Sequence, residues 1–184
     1  KLPQISTGGV GVHTDIKFKG TETTTDILNG LPPIVGTQSG KAQGGGWNAV
    51  PNFHFATPLT KYLYFGFGIT TPFGLETNWS KRSVVAYSAT KSQIQTINLS
   101  PSFGLDLTHG FSFGAGLDYQ YLHGEFDEVV GNSNPLAQPQ TNNMLSVNKG
   151  QDWALGYHGG FLYQFNNRTR IGLSYRSRMI HHLK

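Results

Sequence analysis

No cysteine occurs anywhere in the chain, which excludes disulfides and thiolate metal sites. Charge is scarce too: 13% of residues are charged and the net balance is only +4. No basic cluster interleaves with aromatics, so nucleic acid is not an expected partner. No apolar run approaches the roughly 18 residues of a membrane helix, which excludes a helical membrane protein. The chain starts at Lys1 without a methionine or a signal peptide, and on that ground it reads as a processed chain or a fragment. What remains is Gly, Ser, Thr, Asn and Gln around 37% hydrophobic residues, with 24 glycines and eight tyrosines. That balance, poor in helix formers, favours an all-β protein.

Seven runs read as strands: Gln4–Phe18, Gly46–Ala56, Tyr62–Phe73, Lys91–Leu107, Phe111–Gly124, Gln151–Phe165 and Arg170–Ile180. Several keep strict period two. Ile97, Leu99, Phe103, Leu105 and Leu107 share one face of the fourth run, opposite Asn98, Ser100, Ser102, Gly104 and Asp106. The fifth sets Phe111, Phe113, Leu117 and Tyr119 against Ser112, Gly114, Gly116 and Asp118.

Connections between these runs alternate in length. "TPLTK", "THG" and "NNRT" are tight turns, whereas residues 19–45, 74–90 and 125–150 are long and read as extracellular loops. The segment "GTETTTDILNGLPPIVGTQSGKAQGGG" offers no clear eighth strand. Such alternation belongs to a transmembrane β-barrel, because every second connection lies on the same side of the membrane. Trp47, Tyr62, Tyr121, Trp153 and Tyr163 fall near strand ends, where aromatic girdles sit. A soluble β-sandwich alternates in the same way, but its strands are shorter and its loops are not segregated by length. Seven strands is an odd number for a bacterial barrel, so the chain reads as part of a larger antiparallel one.

Strand three raises a specific question. Phe65, Phe67 and Ile69 alternate with small residues, and then Pro72 removes a ladder donor and Gly74 a side chain. Either the wall is interrupted at Thr71, Pro72, Phe73 and Gly74, or the strand leaves the membrane there. Other chemistry is thin. The seven histidines show no ligand spacing and no serine lies in a G-x-S-x-G elbow, so neither a metal, a cofactor nor an enzyme is expected. His158 reads as lumenal filler. Arg176 and Arg178 share the inward parity of strand seven, because a charge facing lipid costs about 2–4 kcal/mol at midplane. Pairing with Asp106 or Asp118 is their main reading and carboxylate binding a second one.

The order of "AVPNFHFATPL", "YFGFGITTPFGLETNW", "INLSPSFGLDLTHGFSFGAGLDY" and "WALGYHGGFLYQFNNRTRIGLSYRS" resembles the FadL-type outer-membrane transporters of long-chain fatty acids and other hydrophobic compounds. The resemblance implies a fourteen-stranded barrel, monomeric when complete, in the outer membrane of a Gram-negative bacterium. This chain would hold its first seven strands and lack the N-terminal hatch. It also implies that strand three kinks inward at Thr71–Gly74, leaving a lateral exit for a fatty acid or other hydrophobic ligand into the outer-membrane lipid. One departure stands out: Glu128 occupies the place of a basic residue that helps hold the substrate carboxylate, which opens aromatic hydrocarbons as substrates. Leu136, Met144, Leu145 and Val147 in the third long loop are candidate contacts for an acyl chain. The rival functions are a general diffusion porin and a surface-binding, adhesin-like barrel.

Overall fold

A computed structural model of the chain describes residues 2–26, 34–130 and 144–183. Ten strands follow in chain order: β1 (Gln4–His13), β2 (Lys17–Asp26), β3 (Ile34–Gln43), β4 (Trp47–Pro58), β5 (Leu63–Thr70), β6 (Gly74–Asn78), β7 (Lys91–Asp106), β8 (Phe111–Val130), β9 (Met144–Gln164) and β10 (Arg170–Arg176). The main sheet is antiparallel throughout, ordered β1-β4-β5-β7-β8-β9-β10, with β6 also on β7. The seven expected strands are all present; the third, expected over Tyr62–Phe73, is β5, and its course resumes as β6 inside residues 74–90, which read as a loop.

Each tight turn has a local cause. Thr60 Oγ1 accepts the N–H groups of Tyr62 and Leu63 at 3.3 and 3.0 Å. Asn166 Oδ1 accepts those of Arg168 and Thr169 at 2.8 and 2.9 Å, a side chain standing in for a backbone turn. At "THG" the backbone turns left-handed, with φ of 69° at His109 and 82° at Gly110.

Strand pairing runs further than the sequence suggested. The segment read as a structureless loop contains the β2–β3 hairpin, ten residue pairs from Lys17↔Gln43 to Asp26↔Ile34. It continues the β1–β4 hairpin through Thr14 N–H to Gly46 O and Gly44 N–H to Ile16 O, both 2.9 Å. Likewise β8 and β9 stay paired to Val130↔Met144, inside the expected third loop. These extensions carry polar residues on both faces, so period two is lost. The threonines of β2 and β3 still favour extended backbone.

The sheet is turned inside out relative to a soluble protein. Among the described residues only Val84, Ala86, Val129 and Ala154 form a buried apolar core. Phe103, Leu105, Phe113, Leu117, Leu155 and Leu173 lie exposed on one face, and Asn98 and Asp118 are fully buried on the other. Aromatic pairs mark both margins of the apolar face: His13–Trp47 and stacked Tyr119–Trp153 at one, Phe111–Tyr163 and Tyr163–Phe165 at the other. From Phe111 to Tyr121, at about 3.3 Å per residue and a tilt of about 40°, the rise is about 25 Å, the height of a barrel's lipid-facing band.

Candidate functional site: a window in the wall and a charged cluster behind it

Strand three breaks between β5 and β6. Thr70 pairs with Asn98 of β7, and the next pair is Gly74 with Gln95. Four residue steps on one strand thus face three on the other, so strand three carries one extra residue. The slip reverses its facing: Gly66, Gly68 and Thr70 point inward on β5, whereas Leu75 and Thr77 do so on β6.

On the other side the break leaves a margin without a partner. β4 pairs with β5 only from Phe53↔Ile69 to Pro58↔Tyr64, and β6 pairs with β7 alone. The run Trp47–Asn52 therefore has β1 on one side and no ladder on the other among the described residues. Beyond this run the wall closes again: Asn78 N–H donates to Gly44 O at 2.8 Å, and the Trp79 indole packs over Gly44. The unpaired margin is thus bounded at both ends, and window here denotes this interruption of the ladder.

Phe73 is held at the break by one residue of β7. Thr96 Oγ1 accepts the Phe73 N–H at 2.9 Å and donates to the Phe73 carbonyl at 2.8 Å, while Thr96 N–H donates to the same carbonyl at 3.0 Å. Pro72 has no N–H to place. Gly74 plays a smaller part than expected. A Cβ added there would meet open space and its φ is not positive, so the extra residue and Pro72 carry the interruption.

The inner face changes character along the strands. Gly66, Ser102, Gly116, His158 and Arg176 form one row of small and polar side chains. Beside the window the same face carries Val10, Val12, Val50, Leu75 and Ile94, by register with their ladder partners. Between these zones lies Asp118. Its Oδ1 accepts from Asn98 Nδ2 and Ser100 Oγ, both at 2.7 Å, and from Arg176 Nη2 at 3.3 Å. Its Oδ2 meets His158 Nδ1 at 2.9 Å and Arg176 Nε at 3.2 Å. A buried carboxylate is tolerable only with such a full complement of partners.

The expected site residues scatter. Thr71, Pro72 and Phe73 form the break and Gly74 opens β6. His158 and Arg176 join the Asp118 cluster. Arg178 does not sit on strand seven as its parity suggested: β10 ends at Arg176, and the following segment runs along the inner face, with Met179 against Gly156 and Leu183 against Gly150. Met144, Leu145 and Val147 are exposed members of β9, paired with Val130, Val129 and Asp127 rather than placed in a loop. Glu128 is exposed on β8. Leu136 lies outside the described residues. Sequence reasoning missed Thr96, Gly44 and Trp79. A buried-parity threonine opposite a proline-broken strand was the available signal for the first. Among the described residues no group of three His, Asp or Glu side chains is placed to hold a metal.

A family profile described as outer membrane protein transport protein (OMPP1/FadL/TodX) matches residues 1–184. The chain is 29% identical over 191 residues to a long-chain fatty acid transport protein of Escherichia coli O6:H1, covering 95% of this chain and 41% of that protein. It is 25% identical over 206 residues to outer membrane protein P1 of Haemophilus influenzae, covering 97% and 45%. Its fold matches the crystal structure of a Pseudomonas aeruginosa FadL homologue with a TM-score of 0.74, at 21% identity, over 96% of this chain and 43% of that one. The chain thus spans about two fifths of the length of these relatives, and its open sheet is a half-barrel.

Proposed function

The chain belongs to the outer membrane protein transport family (OMPP1/FadL/TodX), and from that premise we propose that it forms the window-bearing half of an uptake channel for hydrophobic molecules. Long-chain fatty acids are the first substrate class, by analogy with the long-chain fatty acid transport proteins it resembles. The observation that carries the reading is the window: an interrupted wall flanked on its inner face by Val10, Val12, Val50 and Leu75.

In this mechanism the outer β8–β9 hairpin carrying Met144, Leu145 and Val147 catches the apolar molecule, and Leu136, outside the described residues, is a further candidate contact. The molecule moves along the apolar part of the inner face and leaves sideways at Thr71–Gly74 into the membrane. A closed wall would send it through water, at about 25 cal/mol for each Å² of apolar surface re-exposed. The protein supplies no chemistry beyond this path; binding, exclusion of water and release are its whole task.

Two of the positions read from the sequence for the head group, Glu128 and Arg176, offer it no free cation. Glu128 repels a carboxylate at neutral pH, and Arg176 has both Nε and Nη2 engaged by Asp118. Neutral aromatic hydrocarbons therefore stand beside fatty acids as cargo. The same neutralised cluster argues against a diffusion porin, whose lumen carries facing rows of acids and bases. Mass spectrometry of lipid co-purified with the full-length protein tests this. Stoichiometric apolar ligand is expected, and its absence at every detergent concentration would reject the reading.

A further inference from the structure

The structure assigns to Thr96 the job of pinning Phe73 of strand three to the inner side of β7 and away from β4, so that this one hydroxyl keeps the window open; the assignment rests on the lateral route just proposed. Thr96 is 3% exposed. It shares the parity of Ile94 and Asn98, so its side chain stands on the inner face of β7. A hydroxyl there reaches the main chain of Phe73 only if Phe73 is drawn to the inner side of the sheet. In a regular antiparallel pair Phe73 would be satisfied by main-chain groups alone. Here its N–H has the Thr96 hydroxyl as acceptor, and its carbonyl takes both the hydroxyl and the Thr96 N–H.

Only a residue able to donate and accept from the same atom meets both demands. Threonine adds a stiff χ1, which keeps the hydroxyl aimed. Pro72 and the extra residue break the ladder, but neither says which way the freed backbone goes. Thr96 supplies the direction. Without the hydroxyl the Phe73 N–H loses its partner, and the segment relaxes toward the gap beside Trp47–Asn52. Thr96 is a positioning residue; nothing places it in contact with the cargo.

The test compares Thr96→Val with Thr96→Ser in the full-length protein reconstituted in liposomes, using labelled oleate. The valine variant is expected to take up oleate about tenfold more slowly, with exchange of the Phe73 amide accelerated by about the same factor, as loss of a buried partner implies. Oleate affinity in detergent stays unchanged, because the outer binding elements are untouched. The serine variant restores both rate and protection. Wild-type uptake by Thr96→Val, equal slowing in both variants, or affinity falling in step with rate would each overturn the assignment. If Thr96→Val does not form a heat-modifiable barrel, Thr96→Ala takes its place with the same expectations. A companion variant that closes the window, Pro72→Val with Phe73 deleted, separates the two ideas. If it slows uptake and Thr96→Val does not, Thr96 alone is misassigned. If neither slows uptake, the lateral route itself is wrong.

Discussion

Arg176 of β10 reaches across β9 to close on Asp118 of β8 through two contacts, Nε–Oδ2 at 3.2 Å and Nη2–Oδ1 at 3.3 Å. The carboxylate is fully buried, while the Arg176 side chain is 48% exposed. Removing the two partners therefore has unequal consequences. Asp118→Ala strands Asn98, Ser100, His158 and Arg176 around an absent acceptor and is expected to cost about 3–5 kcal/mol. Arg176→Ala leaves Asp118 with three other partners and costs less, about 1–3 kcal/mol. Urea unfolding of the full-length barrel in detergent reads both, and a larger effect of the arginine variant would contradict the arrangement.

The facing of the sheet makes a second contrast. Leu105 is exposed on the apolar face, and Ser102 stands on the inner one within the same strand. Leu105→Lys should cost about 2–4 kcal/mol if placed near the bilayer midplane, and Ser102→Lys much less. Folding titrations into lipid vesicles measure the difference. Equal costs would mean that the apolar face does not meet lipid.

Much of this was legible in advance. Period two in β7, β8 and β9 survives because lipid outside and water inside demand opposite side chains at successive residues, so these strands and their facing could be read directly. The outer extensions could not: β2 and β3 lie beyond the lipid, with one face exposed and the other meeting Val84 and Ser88, and nothing selects an apolar alternation. Gly74 was given a bending role on residue type alone, yet the space around its Cα would admit a side chain. For Thr96 only the inward parity was legible, and its contact was not, for a different reason. Its partner Phe73 is 23 positions away, and the contact depends on a one-residue slip that no local pattern announces.

Two glycines at the window edge separate by their surroundings. A Cβ on Gly74 meets nothing within 4 Å, whereas one on Gly44 would collide with the Trp79 ring. Gly74→Ala is expected to stay within about 0.5 kcal/mol of wild type. Gly44→Ala should cost about 1–3 kcal/mol as Trp79 is displaced. Trp79 fluorescence reports the second change directly, and an unshifted spectrum in Gly44→Ala would argue against the seal.

Beyond the aromatic margin, four residues past Tyr121, Glu125 bridges two lysines. Lys91 Nζ donates to Oε2 at 2.7 Å and Lys149 Nζ approaches Oε1 at 3.1 Å. The Lys91 hydrogen bond, with Lys149 adding to it, holds the Glu125 carboxyl below its ordinary value of 4.5. A depressed carboxyl contributes stability that is present above the unfolded value and lost as pH falls through the folded one. The outer β8–β9 hairpin should therefore loosen below about pH 4.5. Glu125→Gln should remove that dependence. Amide exchange at Phe126 and Asn148 across the acidic range provides the check, and identical profiles in wild type and Glu125→Gln would refute it.

The account turns on whether hydrophobic cargo leaves through the wall beside Phe73. The most direct measurement is the initial rate of labelled oleate uptake into liposomes by the full-length protein, set against the window-closing variant. Deleting Phe73 and placing valine at Pro72 removes the extra residue, so that strand three can run in register with both β4 and β7. The account predicts rapid uptake by the wild type and, in an equally stable variant barrel, uptake slowed toward that of protein-free liposomes. Equal rates in wild type and closed variant would contradict it.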